Sequence, residues 1–532
     1  MQSYSYGVAR WTQVSHAIRL EEMAKPNHIL IVGGGTAGWM AANLMAQRWL
    51  QQGINISLVE SPDIGIIGVG EGSTPQLKAF MDKIGADESD WMPRCNATYK
   101  VGISFHNWST KPGFDSYFHP FPAQPDRENY RAFVHHCYLR RQGFDIDAHP
   151  NRYFLPAYLA SNQLGPHPNH NFPFEVLYGY HFDSQLLGEY LRDLAVNRGV
   201  THIQGNVNKV LQDEQGNITA VQLQDDDLLQ ADFFVDSTGF RSLLLQQTLK
   251  VPFVSFDSNL FNDSAVVMPT PQGNEYNSQT ISTAMKCGWA WEIPLTNRVG
   301  NGYVYSSAFC SADDAENELR QKTGSLDSDI EARHLQMNVG QVDKHWHRNC
   351  IAVGLSQGFI EPLEATALHI VQETVETFIA SFEEGGYTAQ NRERFNEILT
   401  RRFEGVRDYI VCHYRANSRN DTDYWRANAA NENLSISLKN LLRTWLDKGD
   451  LTQEIQRQDI SRYYNTISWH CLLAGYGLFP DHTTLTAVGE DKKICDLSKI
   501  DEFIRRCALN FEKHSTQLSF SVGESMRASP GS

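Results

Sequence analysis

Ile31-Val32-Gly33-Gly34-Gly35-Thr36-Ala37-Gly38 decides how this chain folds. Residues 28–32 before it are apolar and strand-like, and residues 39–50 after it have helical character. In a strand–turn–helix of this spacing, Gly33 permits the tight turn and Gly35 lets the backbone approach a pyrophosphate. Gly38 lets helix and strand pack closely, while Thr36 and Ala37 open the helix whose N-terminus faces the phosphates. Glu60 closes a second strand-like run about 20 residues on, where a carboxylate can accept a ribose hydroxyl. The combination predicts dinucleotide binding. The alternative is a glycine-rich turn that binds nothing.

Working outward, the chain has 532 residues, 41% of them hydrophobic, enough for a large core and two or three domains or subdomains. Its net charge of −16 and the lack of any Lys/Arg run argue against nucleic acid or an anionic membrane as partner. Nine cysteines are dispersed with no CxxC pair, so neither a zinc site nor a disulfide framework is expected and a reducing cytoplasm fits. His149, His167 and His170 lie near one another in a Pro/Asn-rich loop without a close acid or thiolate, so no metal site is expected. Residues 1–26 lack the apolar core of a secretory signal and read as an extension that is poorly ordered or docks late.

Strand-like runs recur at 56–60, 99–105, 200–211, 218–223 and 232–236, with a helical pattern at 183–198 and a hairpin turn at Gly216-Asn217. The expected class is α/β (α+β): a GxGxxG nucleotide-binding domain over 27–390 with an inserted antiparallel sheet, then a mainly helical subdomain over 391–525. Residues 107–173, rich in Pro, His and Tyr, read as a loop-rich insertion at a pocket mouth or surface. The run at 231–239 is either a strand closing on the cofactor through Asp236 and Gly239 or a plain buried strand and turn.

In Gly288-Trp289-Ala290-Trp291-Glu292-Ile293-Pro294, residues 289, 291 and 293 alternate and share one strand face. They form either a rigid indole wall or an ordinary packing face. Taken with GGGTAGWMAA (33–42), GVGEGSTP (68–75), CNATYKV (95–101), YHFD (180–183), VDSTGFRSLL (235–244), NDSAV (262–266), GYVYSS (302–307) and EPLEAT (361–366), the chain resembles the flavin-dependent, tryptophan-halogenase-like proteins from about residue 28 to 481. The resemblance implies that reduced FAD, supplied by a separate NAD(P)H-dependent flavin reductase, and O2 oxidise a halide to hypohalous acid. That oxidant passes through an internal tunnel to a lysine beside a small, electron-rich aromatic substrate. The wall of Trp289, Trp291, Ile293 and Pro294 separates substrate from flavin. Further flavin contacts are implied at Val207, Leu355 and Leu368. A homodimer is the expected assembly.

By alternation alone, Lys100 in Tyr99-Lys100-Val101-Gly102-Ile103 is a solvent-face lysine; the resemblance makes it the lysine at the tunnel's end. A desolvated ammonium has a lowered pKa and can hydrogen-bond hypohalous acid or form a haloamine. Glu364 reads either as macrodipole compensation in the first turn of a helix opened by Pro362 or, by resemblance, as the partner that later accepts the ring proton. The N–H groups of Thr366 and Ala367 at that helix start offer a halide site. The well-studied tryptophan enzymes carry Ser and Gly where this chain has Ala365 and Ala367, which points to bromide or iodide rather than chloride. His119, Phe121, Tyr463, Tyr464 and Trp469 match substrate-pocket positions, although a histidine and an aromatic in a loop are otherwise unremarkable. The family's amino-acid clamp has no clear equivalent between Trp425 and Cys471. That argues against free tryptophan and for an indole, phenol or similar ring. The alternatives are an aromatic flavin monooxygenase, against which the indole wall argues, and a non-catalytic flavin-binding protein.

Overall fold

The computed structural model describes residues 25–63, 65, 70–489 and 496–519. The expected N-terminal extension lies outside these residues except for Lys25 and Pro26. Ile29, Leu30 and Ile31 are fully buried, as a strand covered on both faces requires. That strand, His28–Val32, is central in a six-stranded sheet. Asn55–Glu60 and then Thr201–Gln204 lie on one side; Phe233–Asp236, Cys350–Ala352 and Trp346–His347 lie on the other. All neighbours are parallel except the last pair. The helix Thr36–Trp49 follows the glycine turn and packs against Ser184–Asn197 and Ala367–Glu384.

The second large sheet has seven strands, in the order Arg333–Gln336, Ser264–Thr270, Val299–Tyr305, Gly288–Pro294, Thr280–Ala284, Gly102–His106 and Ser116–Pro120. It is antiparallel except for the parallel pair Thr280–Ala284 and Gly102–His106. Residues 200–211, read as one run, form two strands in different sheets: Thr201–Gln204 and Val207–Gln212. Gly216, with φ +81, sits in the turn joining Val207–Gln212 to Ile218–Leu223.

The segment 107–173 is not loop-rich as expected. It carries the 16-residue helix Arg127–Gln142, the helix Leu155–Ser161 and a strand of the seven-stranded sheet. Its Pro and His residues obscured an apolar series, Ala132, Phe133 and Cys137, that enters the core. Beyond Arg392 the chain is mainly helical, and these helices bury Tyr409, Trp425, Trp445 and Trp469 in the same apolar cluster as the seven-stranded sheet.

Candidate active site

The glycine turn opens one end of a cavity of about 1140 Å³. Gly33 has φ +109, and a Cβ there would lie 2.1 Å from the Ser237 carbonyl oxygen. A Cβ on Gly38 would lie 2.1 Å from the Gly33 carbonyl oxygen, so this glycine serves helix–strand contact and faces no ligand space. At Gly35 a Cβ would meet nothing within 4 Å, so the backbone borders empty cavity, the cradle that a closely approaching ligand needs. Glu60, Val207, Gly239, Leu355 and Leu368 line the same space, as do Thr36 and Ala37. Glu60 is partly engaged: its Oε1 lies 2.7 Å from Nε2 of His202.

Asp236 does not line the cavity. Its Oδ2 accepts the backbone N–H groups of Leu244 and Leu245, each at 2.8 Å, and its Oδ1 accepts Thr238 N–H and the Thr238 hydroxyl. The helical turn after the strand leaves N–H groups that need an acceptor, and a buried carboxylate supplies it. Asp236 therefore holds the turn and does not face a ligand.

Lys100 lines the same cavity. Alternation fails here because 98–106 is two strands: Thr98–Lys100 pairs with Gly179–Phe182, and Gly102–His106 belongs to the seven-stranded sheet. A segment passing between two sheets is covered on both sides, and Lys100 is 0% exposed. Its Nζ finds no hydrogen-bond partner among the described residues and sits 5.6 Å from the centre of the Phe121 ring. Burial drives its pKa down to about 7, against the opposing pull of Glu364.

Glu364 is buried between two imidazoles. His119 Nδ1 donates to its Oε2 at 2.9 Å and His413 Nε2 to its Oε1 at 3.0 Å. The outer nitrogens meet hydroxyls, His119 Nε2 facing Ser468 at 3.0 Å and His413 Nδ1 facing Tyr476 at 2.6 Å, while the inner N–H of each ring points to the carboxylate. Burial alone would raise the Glu364 pKa; the facing histidines overcome this and hold it at about 2. Burial lowers the His413 pKa in spite of the carboxylate beside it, so the carboxylate is kept ionised by N–H donation rather than by a full charge on that ring.

The helix does not begin at Pro362. Pro362–Glu364 is a separate tight turn, Ala365 adopts the left-handed conformation at φ +55, and the long helix starts at Ala367 with Thr366 as its N-cap residue. Glu364 is thus aimed by a kink and not by a helix's first turn. Thr366 and Ala367 both line the cavity.

Three residues earlier, Glu361 is equally buried but differently held. Its Oε2 accepts Trp289 Nε1 at 2.7 Å, the Tyr414 hydroxyl at 2.6 Å and Asn262 Nδ2 at 2.9 Å, and burial raises its pKa. It anchors the indole wall. Trp289, Trp291 and Ile293 line the cavity; Pro294 does not, and its carbonyl instead accepts the Thr98 hydroxyl at 2.7 Å. Gly302 faces Trp291 across the sheet, where a Cβ would fall 2.1 Å from the indole.

Of the expected substrate residues, His119, Tyr464 and Trp469 gather around Tyr409 and Phe121 lies beside Lys100, but none of them lines the cavity. Tyr464 stacks on Tyr409 at 3.6 Å, Trp469 meets the same ring edge-on at 4.9 Å, and His119 lies 6.1 Å from it. Tyr463 does not join them: its ring packs over Gly405 and under the Arg402 guanidinium. Consecutive residues in a turn point apart, so only one tyrosine of the pair can face the cluster. Sequence reasoning missed His413, Tyr476 and Ser468. The signal for His413 was a histidine on the buried face of the helix Arg392–Ala416, one turn after Tyr409.

With this geometry in hand, comparison with known proteins is decisive. The sequence model described as tryptophan halogenase matches residues 28–490. The chain belongs to the tryptophan halogenase family. Tryptophan 6-halogenase SttH of Streptomyces toxytricini is 36% identical over 75% of this chain and 80% of its own length. Tryptophan 7-halogenase RebH of Lentzea aerocolonigenes is 33% identical over 86% of this chain and 91% of its own. Among solved structures, Tar14, a tryptophan C-6 flavin-dependent chlorinase of taromycin biosynthesis, superposes with a TM-score of 0.80 at 31% identity, covering 94% of this chain and all of that one. This protein is accordingly a flavin-dependent halogenase, an enzyme that acts with a separate flavin reductase. Because these relatives are named for tryptophan, they give no support to the expectation against free tryptophan. Among the described residues no helix is long and apolar enough to cross a membrane.

The residues present fit a dinucleotide flavin. The open space at Gly35, the helix start behind it and Glu60 at the strand end suit pyrophosphate and ribose. Leu355 and Leu368 supply apolar lining.

Proposed function

We propose that this enzyme halogenates an electron-rich aromatic carbon, with tryptophan among its candidate substrates, and that Lys100 and Glu364 act on the halogenating species. One observation carries the reading. A fully buried, unpartnered lysine amine borders the same cavity that the glycine turn opens 65 or more residues earlier in sequence. An amine so placed, away from water and next to an ionised carboxylate, has no structural partner to satisfy it and suits a small hydroxylic ligand.

In this reading the Gly33–Ala37 turn and Glu60 hold FAD, which when reduced supplies the electrons that activate O2 for halide oxidation. Trp289 and Trp291, the first fixed by Glu361, exclude the aromatic substrate from the flavin side. Lys100 hydrogen-bonds hypohalous acid at Nζ. Glu364, oriented by His119 and His413, accepts the proton lost from the ring carbon. The N–H groups of Thr366 and Ala367 hold the halide, and bromide or iodide is favoured over chloride. The physical reason is dehydration, which costs most for chloride, while Ala365 lacks the hydroxyl donor of Ser and the methyl of Ala367 changes the space at the halide.

The test is one reaction series: purified protein, flavin reductase, NADH, FAD, O2, tryptophan or indole, and each halide in turn. Product masses shifted by the halogen are expected. A hydroxylated product without halide would assign a monooxygenase, and flavin binding without product would leave Lys100 and Glu364 structural. Chloride giving the highest kcat/KM in competition would remove the halide preference.

A further inference from the structure

Lys100 has a neighbour whose hydrogen bonding is fully determined by the structure. Thr98 Oγ1 spends its only proton on the Pro294 carbonyl at 2.7 Å, so toward His181 Nδ1, 3.1 Å away, it can only accept. His181 therefore carries its proton on Nδ1. Full burial and the nearby Lys100 charge hold its pKa well below the ordinary value, so the ring is neutral and Nε2 is an acceptor. The Thr280 hydroxyl, 2.9 Å from Nε2, must then donate to it. Its oxygen keeps lone pairs with which to accept, and Thr280 and Lys100 both line the cavity.

Between them is a gap. The point where a side chain on Gly72 would begin lies 3.1 Å from Lys100 Nζ and 3.2 Å from Thr280 Oγ1. Because residue 72 is glycine, no side chain crowds the unpartnered N–H donor or the oxygen acceptor, and both border the cavity. A small molecule seated in the cavity against the Gly72 backbone would have both groups as neighbours, one to donate and one to accept.

We propose that Thr280 is a second binding group for the oxidant. Hypohalous acid lodges over Gly72, its oxygen accepting from Lys100 Nζ–H and its hydroxyl proton donated to Thr280 Oγ1. Both hydrogen-bonding ends are then satisfied, and the halogen is left as the free end. His181 and Thr98 are positioning residues. They carry a fixed hydrogen-bond direction from the Pro294 carbonyl, at the end of the indole-wall strand, to the Thr280 hydroxyl. The WxWxIP segment thereby sets the polarity of the site as well as its wall.

The inference rests on the halogenase reading, and the experiment separates the two. Halogenated product per flavin oxidised is measured for the wild type, Thr280→Val and Thr280→Ser, with a thiol-reactive dye trapping escaped oxidant and flavin affinity followed by fluorescence. If the wild type forms no halogenated product, the reading itself falls. Given wild-type activity, Thr280→Val is expected to lower product per flavin by about tenfold, the worth of one hydrogen bond, with a matching rise in trapped oxidant; Thr280→Ser restores the ratio. An unchanged ratio in Thr280→Val, or a fall in flavin affinity that explains the whole loss, overturns the proposal. Should Thr280→Val not fold, Gly72→Ala puts a methyl into the gap and is judged by the same ratio, with an unchanged value again decisive against it.

Discussion

Two parts of the cavity wall, the glycine-turn end and the lysine end, are built in opposite ways. The glycine-turn end is backbone: Gly33 and Gly35 matter for the side chains they lack, and the strand, turn and helix are contiguous in sequence. The lysine end is side chains from dispersed segments. Lys100 and Thr280 line the cavity, while Glu364, His119, His413 and Ser468 form a buried cluster that does not; the six come from six elements and are joined only by folding. The first end places backbone, and no buried charge, against the cavity at Gly33–Gly35. The second buries charge and so needs every group satisfied or reserved for a ligand.

The harshest test of that contrast is Lys100→Met. Halogenation is expected to fall by more than about a hundredfold, while flavin binding at the turn persists. Stability moves the other way. Lys100 has its pKa lowered from 10.5 to about 7 by burial. The unfolded chain therefore holds this proton to higher pH, the burial penalty is full below pH 7, and it fades as pH rises toward 10.5. Lys100→Met should gain on the order of 2–4 kcal/mol at pH 6 and little near pH 10. Denaturant unfolding at the two pH values checks this, and an equal gain at both would contradict the buried-charge account.

Glu364→Gln comes next, with kcat for halogenation down by roughly 10²–10⁴. Its carboxyl pKa is depressed from 4.5 to about 2, so the stability it contributes is present above 4.5 and is lost as pH falls from there to 2. The variant should lose the wild type's pH dependence of unfolding within that window.

At the other end, Gly35→Val places a branched side chain in the open space. It should weaken FAD binding by about tenfold, as overpacking of 1–3 kcal/mol implies. Quenching of flavin fluorescence measures it, and unaltered affinity would remove the turn from the binding site. The smallest effect is expected at the kink: Ala365→Gly relieves a left-handed alanine and should stabilise the fold by up to about 1 kcal/mol, read as a rise in Tm.

Glu361 and Glu364 show why motif reading stops short. Both are buried acids in EPLEAT. The left-handed Ala365 and the partners that folding brings decide that one anchors Trp289 and the other faces two histidines. Asp236 teaches the same lesson in reverse, since a strand-end acid that reads as a cofactor contact is fully occupied by the N–H groups of the following turn. Tyr463 and Tyr464 are alike in sequence, and only the second reaches the Tyr409 cluster.

The sequence by itself determined the nucleotide-binding start, the two-tryptophan strand and the family motifs. These depend on local spacing: backbone torsion at glycine, alternation along a strand, helix after turn. Tertiary structure alone decided that Lys100 is dry, that Glu364 is clamped between His119 and His413, and which way the hydrogen bonds run from Pro294 to Thr280. Desolvation and hydrogen-bond direction are set by neighbours tens to hundreds of residues away, and no local pattern encodes them.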